Sequence, residues 1–257
     1  MLRTLETHGY QISASLLMLS TLVSALELAS IPGLYIDLVL PGTRKVNKRA
    51  IWVGLHLGQA ALSIVTWVTL LAAPRVWFQG CFLTLGILVA ISYRLRATGK
   101  DGADQVRMLS FWAYAIGFLL DGEDGVRIPQ YFMGVQIIIA YATAGIAKVC
   151  SEHWRNGNAV SQILSAYSMG WPSIGGLLSR HPRLDRVSSY APILMMLSVP
   201  VMACLPFQAP LMVSLALMLG FHALAALLMG LNDFILTFPS AYPGLLLLHA
   251  LVFDLAS

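Results

Sequence analysis

The chain has 257 residues, of which 58% are hydrophobic and only 11% charged, and a formal net charge of +4. Soluble domains carry about 25% charged residues, and the mean hydropathy here is +0.74; so little polar surface cannot cover so much apolar side chain, which excludes a soluble globular enzyme. In the multi-pass membrane protein this composition predicts, the basic excess reports orientation and contact with anionic headgroups, not nucleic-acid binding.

A bilayer core of about 30 Å takes roughly 20 apolar residues of helix. In chain order the apolar runs predict eight spans, at 11–38, 51–73, 76–93, 107–120, 131–149, 190–206, 210–230 and 234–253. The first follows Arg3 with no small-residue cleavage site ahead of polar chain, so it reads as a retained span and not as a removed signal peptide. The fourth and sixth are short, and Pro206 with Pro210 marks a tight turn before the seventh. Neither an internal repeat nor a low-complexity linker divides the chain, which reads as one domain over 1–257. The predicted fold class is an all-α, polytopic transmembrane helical bundle.

The basic residues sort by loop. Arg44, Lys45, Lys48 and Arg49 follow span one, and Arg94, Arg96, Lys100 and Arg107 follow span three. Lys148, Arg155, Arg180, Arg183 and Arg186 lie at or after the end of span five, leaving only Arg3, Arg75 and Arg127 on the other side. Thirteen against three is a bias that places both termini outside and the three basic loops in the cytoplasm. The expected location is a cell membrane, the bacterial inner membrane.

The break after span five, from Cys150 to about Ser189, is the longest between spans. Within it, "WRNGNAVSQILSAY" sets Ala159, Ile163, Leu164 and Tyr167 at helical spacing, predicting an interfacial amphipathic helix with Trp154 and Trp171 as headgroup anchors. The next stretch, "LLSRHPRLDRVSS", is basic and reads as a solvated, headgroup-facing loop.

Polar residues inside apolar runs are the candidates for function. Lys148 ends span five behind Ala144, Gly145 and Ala147, small residues that let another helix or a flat ring approach. Two roles are open to it: an anchor that snorkels to the interface, or a base, which requires an apolar site that disfavours the charged form of a lysine. His222 lies within span seven and needs a hydrogen-bond partner there, either a neighbouring helix or a substrate. Glu27 is placed to pair with His56 of span two, and Asp233 sits at the turn after span seven beside Asn232. His153 and His249 read as interfacial, and Asp101 and Asp104 as caps of span four. The cysteines Cys81, Cys150 and Cys204 are scattered, without a CxxC pair. Glu152-His153 lacks a partner one helical turn on, so no metal site is expected. A transporter would show inverted repeats or paired broken helices, and neither is visible.

"YATAGIAKVCSEHWRNGNAV" resembles the signature of the horizontally transferred transmembrane (HTTM) family, which includes vitamin K-dependent gamma-glutamyl carboxylase. Tyr141, Ala144, Gly145, Lys148, Trp154 and Gly157 fill the family's aromatic, Ala-Gly, lysine and Trp-to-Gly positions. "DGADQVRMLSFW" (101–112) is similar to the family's Gly/Asp loop entering an apolar helix, and "FHALAALLMGLNDF" (221–234) to its late Phe-His span. The resemblance implies quinol-linked chemistry: Lys148 as base toward a reduced quinone (menaquinol or a vitamin K hydroquinone-like compound) and His222 as hydrogen-bond donor. It implies Tyr141, Gly145 and Trp154 as substrate-binding residues; Asp233, which stands where the family commonly has an apolar or small residue, is a further substrate-binding candidate as a departure that marks either a changed substrate or a wet turn. The substrate would be a peptide or a lipid-soluble molecule, in a cavity lined by spans five and seven. Smaller bacterial members of the family mature peptide toxins with a small partner protein. The alternative expectation is therefore a non-catalytic component for maturation, export or immunity of a secreted peptide, working with a small soluble partner and the membrane lipid.

Overall fold

Every apolar run among the described residues forms helix, and none forms strand. The structure, a computed structural model, describes residues 2–31, 48–96, 99–166 and 170–253, side chains at 2–5 and 48 excepted. Among these residues seven helical segments are long and apolar enough to cross a membrane. The protein is an all-α, polytopic helical bundle that falls into two compact units.

The first unit comprises Met1–Met133 and Leu236–Leu247. It holds α1 (Leu2–Ser30), α2 (Lys48–Ala72), α3 (Arg75–Leu95), α4 (Gly102–Gly117) and the start of α5 (Asp124–Cys150). Its apolar centre is aromatic: Phe78 and Phe82 of α3 meet Phe111 and Tyr114 of α4 over Leu17 and Met18 of α1. The Phe82 and Phe111 ring centres are 4.8 Å apart, within the range of favourable aromatic pairs. Gly86 admits this contact, since a Cβ there would stand 3.2 Å from the Phe111 ring. On the outward side of α2, Leu57, Ile64, Val65, Val68 and Leu71 are all exposed, an apolar face too broad for a soluble protein.

Predicted span four corresponds to α4, whose 16 residues measure only about 24 Å. Asp101 caps it, accepting from the Asp104 backbone N–H, and the Asp104 side chain accepts from the Asp101 N–H in return. Nine of its residues are buried, so protein rather than lipid surrounds most of this helix. Predicted span eight is broken into α11 (Phe234–Thr237), a 3-10 turn (Pro239–Ala241) and α12 (Tyr242–Val252). Pro239 and Pro243 remove backbone donors there, and such donors hold an uninterrupted helix together.

The second unit comprises Gly134–Ile235 and Leu248–Ser257. The rest of α5 leads into three short helices, α6 (Glu152–Arg155), α7 (Ala159–Ser165) and α8 (Pro172–Ser179). Two long helices follow, α9 (Pro182–Ala203) and α10 (Gln208–Met229), joined at the turn that Pro206 and Pro210 mark. The expected amphipathic segment thus begins as α6 and α7, parted at Gly157, whose φ of +72° suits glycine. A Cβ at Gly157 would also stand 2.8 Å from Arg186 Cγ. Ala159 and Leu164 are buried, with Ile163 half-buried; Tyr167 lies outside the described residues. The carboxylate of Asp185 accepts from the Ser161 N–H at 3.1 Å and from the Ser161 hydroxyl, satisfying the first turn of α7. The expected basic loop is largely helical, because Pro182 opens α9 at its first position. Arg180, Arg183 and Arg186 are exposed along it, as a headgroup-facing stretch requires.

Candidate functional site

Four of the expected site residues lie on or beside α5, and their spacing decides how they meet. Tyr141, Gly145 and Lys148 follow one another at i, i+4 and i+7, on one helix face. Seven residues of helix span about 10 Å, so the face has two ends, and each end pairs with a different partner.

At the inner end Tyr141 meets His222 of α10. The phenol oxygen lies 2.9 Å from the imidazole Nε2, and the two rings stack at 6.0 Å with an interplanar angle of 27°. Each residue is only 1% exposed. His222 shares its face of α10 with Leu211, Ser214, Leu215, Met218 and Ala225, all buried. The Phe234 ring stands 5.9 Å from the imidazole. Asp233, the residue before it, is buried at the turn after α10. The histidine partner that the sequence demanded is therefore a tyrosine already in the candidate set.

At the outer end Lys148 is half-buried, and its Nζ stands 5.0 Å from the centre of the Trp154 ring. A cation over an indole face gains about 0.5–1 kcal/mol at an accessible site and more when desolvated. Trp154 lies on α6, only six residues on, so the extended Ser151 between α5 and α6 sets the ring's place. Val149, next to the lysine on α5, is 43% exposed, and Ile146, on nearly the opposite face of the helix, is 55% exposed.

Gly145 separates the two ends. A Cβ at this position would stand 2.6 Å from Leu197 Cδ2 of α9, so the small residue admits a helix neighbour at that point. Of the two visitors its size could admit, a helix or a flat ring, the helix occupies the place. The structure thus joins Tyr141 with His222 and Lys148 with Trp154, and fills the space between the pairs with Leu197.

Other expectations are corrected by the geometry. His56 does not turn to Glu27: its Nδ1 lies 2.7 Å from Gln59 Oε1 and its Nε2 3.5 Å from the Ser92 hydroxyl. His249 is buried against protein, its Nε2 lying 2.7 Å from the carbonyl of Leu205 in the turn after α9. His153 is exposed, in keeping with an interfacial place.

The sequence reading missed a buried polar group in the first unit. Asp104, expected only to cap, also receives Arg96 of the α3 end and Arg107 of α4, the latter at 3.2 Å. Arg107 donates further to the hydroxyls of Ser20 at 3.2 Å and Ser24 at 2.9 Å. Arg96 and Arg107 are 4% and 3% exposed, far too buried to act only as topology signals. They border a cavity of about 20 Å³ lined also by Thr21, Ser24, Gln59, Ser92, Tyr93 and Asp104. The available signal was the run Ser20, Thr21 and Ser24 inside an apolar helix, which needs polar company. Among the described residues no cluster of three His, Cys, Asp or Glu side chains is placed to hold a metal ion. Comparisons with protein-family models, curated proteins and solved structures find no match for this chain.

Proposed function

We propose that the chain is a membrane-embedded enzyme of the HTTM type that performs quinol-linked base chemistry at the outer end of α5, with Lys148 as the base. The observation that carries this reading is the half-buried Lys148 held over Trp154 at the end of a helix long and apolar enough to cross a membrane. A lipid-soluble reactant arrives through the bilayer and needs no deep internal cavity to reach such a side chain. Leu197 occupies the slot at Gly145, so on this reading a ring would approach Lys148 at the helix end and not between the two pairs.

A reduced quinone such as menaquinol would supply an ionisable hydroxyl and two electrons for dioxygen. Lys148, in its neutral form, takes that hydroxyl's proton at Nζ: the O–H bond breaks, an N–H bond forms, and the Trp154 face holds the resulting ammonium. The Tyr141–His222 pair ties α5 to α10 and so aims Lys148, acting as a positioning element; Asp233 closes the turn beside it. On this reading the basic loops face the cytoplasm of a bacterial inner membrane and both termini lie outside.

Oxygen uptake by the purified protein with a panel of reduced naphthoquinones and benzoquinones tests the proposal. Lys148→Ala is expected to lower uptake by about a hundredfold or more, the scale of a positioned general base. Lys148→Arg, which keeps the charge and cannot shed its proton, is expected to be equally inactive. Uptake equal in all three proteins would return Lys148 to the role of interfacial anchor.

A second reading has its own observation: Tyr141 and His222 are sealed from solvent and Gly145 is covered by Leu197, as in a structural contact. In that reading the protein matures, exports or gives immunity to a secreted peptide with a small soluble partner, without chemistry of its own. Absence of uptake with every quinol, together with co-purification of a peptide precursor or small partner, would favour it.

A further inference from the structure

We infer that Tyr190 of α9 is a positioning residue of the Lys148 site, holding α6 so that the Trp154 ring stays over the lysine; the inference rests on the reading of Lys148 as a base. Helix α6 is a single turn of four residues, none of them buried, and its N-cap Ser151 makes no side-chain cap. Isolated helices shorter than about 12 residues are marginal in water, so α6 depends on contacts from outside itself. The Tyr190 hydroxyl donates to the Arg155 carbonyl at 2.5 Å. Arg155 is the last residue of α6 and directly follows Trp154. At that end of a helix the backbone ladder supplies no donor, so the tyrosine meets a demand the turn cannot meet alone.

One face of α9 braces both partners of the lysine–tryptophan pair. Tyr190 and Leu197 stand at i and i+7, about 10 Å apart along that face. Leu197 sits against Gly145 of α5, so α9 touches the lysine's helix through Leu197 and the tryptophan's helix through Tyr190. Nearer its start, α9 also fixes α7: Ser189 Oγ accepts from the Val160 N–H at 3.2 Å, and the Asp185 carboxylate accepts from Ser161. Those contacts secure the chain beyond Gly157, whose left-handed backbone packs on Arg186. Helix α6 is thereby strung between two fixed points, the end of α5 and the start of α7, and the Tyr190 hydroxyl reaches the turn between them. In the proposed step an ammonium forms at Lys148 Nζ and the indole face holds it. That charge exists only after proton transfer, so a displaced ring weakens the charged state more than it weakens substrate binding. The loss therefore falls on kcat and not on KM.

The test compares full-length purified proteins by Trp154 fluorescence and by oxygen uptake with reduced naphthoquinones. The chain holds six tryptophans, so the Trp154 emission is taken as the difference between each protein and the same protein carrying Trp154→Phe. Lys148→Met is expected to change that emission in the wild type, because the amine stands 5.0 Å from the ring centre. Tyr190→Phe keeps the ring of a side chain that is 38% exposed, and so opens no buried cavity. In that background Lys148→Met is expected to change the emission by less than half as much. Uptake by Tyr190→Phe is expected to fall about tenfold in kcat with KM nearly unchanged, the scale of one lost hydrogen bond. Ser189→Ala, which loosens α7 and not α6, is expected to leave both readouts as in the wild type. An undiminished response to Lys148→Met in the Tyr190→Phe protein, unchanged uptake by that protein beside an active wild type, or an equal loss in Ser189→Ala would each overturn the positioning role. A wild type without uptake, in which Tyr190→Phe still removes the fluorescence response, would uphold Tyr190 as the brace of Trp154 and overturn the reading of Lys148 as a base.

Discussion

Tyr141 and His222 show what a polar pair costs and contributes inside an apolar helix bundle. An imidazole buried to 1% exposure must be hydrogen-bonded, and the tyrosine hydroxyl at 2.9 Å meets that demand. Interhelical hydrogen bonds in membranes average about 0.6 kcal/mol and reach about 1.7. Tyr141→Phe is therefore expected to lower unfolding stability by about 1 kcal/mol, read by denaturant titration in detergent; no change would mean that His222 has an equal second partner. Gly145 carries the opposite kind of constraint, one of space. Gly145→Ala is expected to cost about 1–3 kcal/mol through overpacking against Leu197. In a Leu197→Ala background the same change is expected to cost less than half as much, and an undiminished penalty would show that Leu197 is not what the added methyl meets.

At the scale of the element, α4 departs most from the membrane-helix pattern. It is short, capped at both backbone and side chain by Asp101 and Asp104, and buried on more than half of its residues. Its Asp104 holds two arginines that are themselves almost wholly enclosed. Breaking a buried ion pair by removing one partner costs about 3–5 kcal/mol, because the remaining charge is left without compensation. Asp104→Ala is expected to lie in that range in thermal unfolding of the purified protein, and Asp104→Ala combined with Arg96→Gln to be less destabilised than the single variant. If the double variant is worse by the full sum, the two residues do not act as a pair. The segment α6–α8 makes a related point, since its amphipathic pattern folds onto α9 through the Asp185–Ser161 contacts rather than lying as one straight helix.

For the whole molecule, sidedness is the property that composition makes testable. Cys150 ends α5 and Cys204 ends α9; both are exposed, free thiols. The 22-residue α9 is long and apolar enough to cross between them. A membrane-impermeant maleimide is expected to label single-cysteine Cys150 protein from the cytoplasmic side only and Cys204 protein from the outside only. Labelling of both from one side would remove α9 from the spans, and labelling in the reverse sense would invert the orientation that the basic loops imply.

Class and span positions were legible in the sequence because bilayer thickness converts directly into a run length of apolar residues. Seven of the eight expected spans have a counterpart long and apolar enough to cross, the last of them broken by prolines; the fourth, α4, is too short, and positions 32–38 of the first lie outside the described residues. Asp101 as a cap was legible too, since capping is a contact between near neighbours in the chain. Lys148 and Trp154 are likewise near neighbours, six residues apart. Tyr141 with His222, His56 with Gln59 and Ser92, and Leu197 on Gly145 were not legible as contacts. Hydropathy states how deep a residue lies, but not which face of its helix it occupies or which helix lies opposite. Arg96 and Arg107 make the difference plain: by sequence they are loop charges that orient the chain, and only tertiary structure turns them inward onto Asp104. Depth in the membrane is a property of a segment and its solvent; partnership is a property of how segments are brought together, and it becomes visible only there.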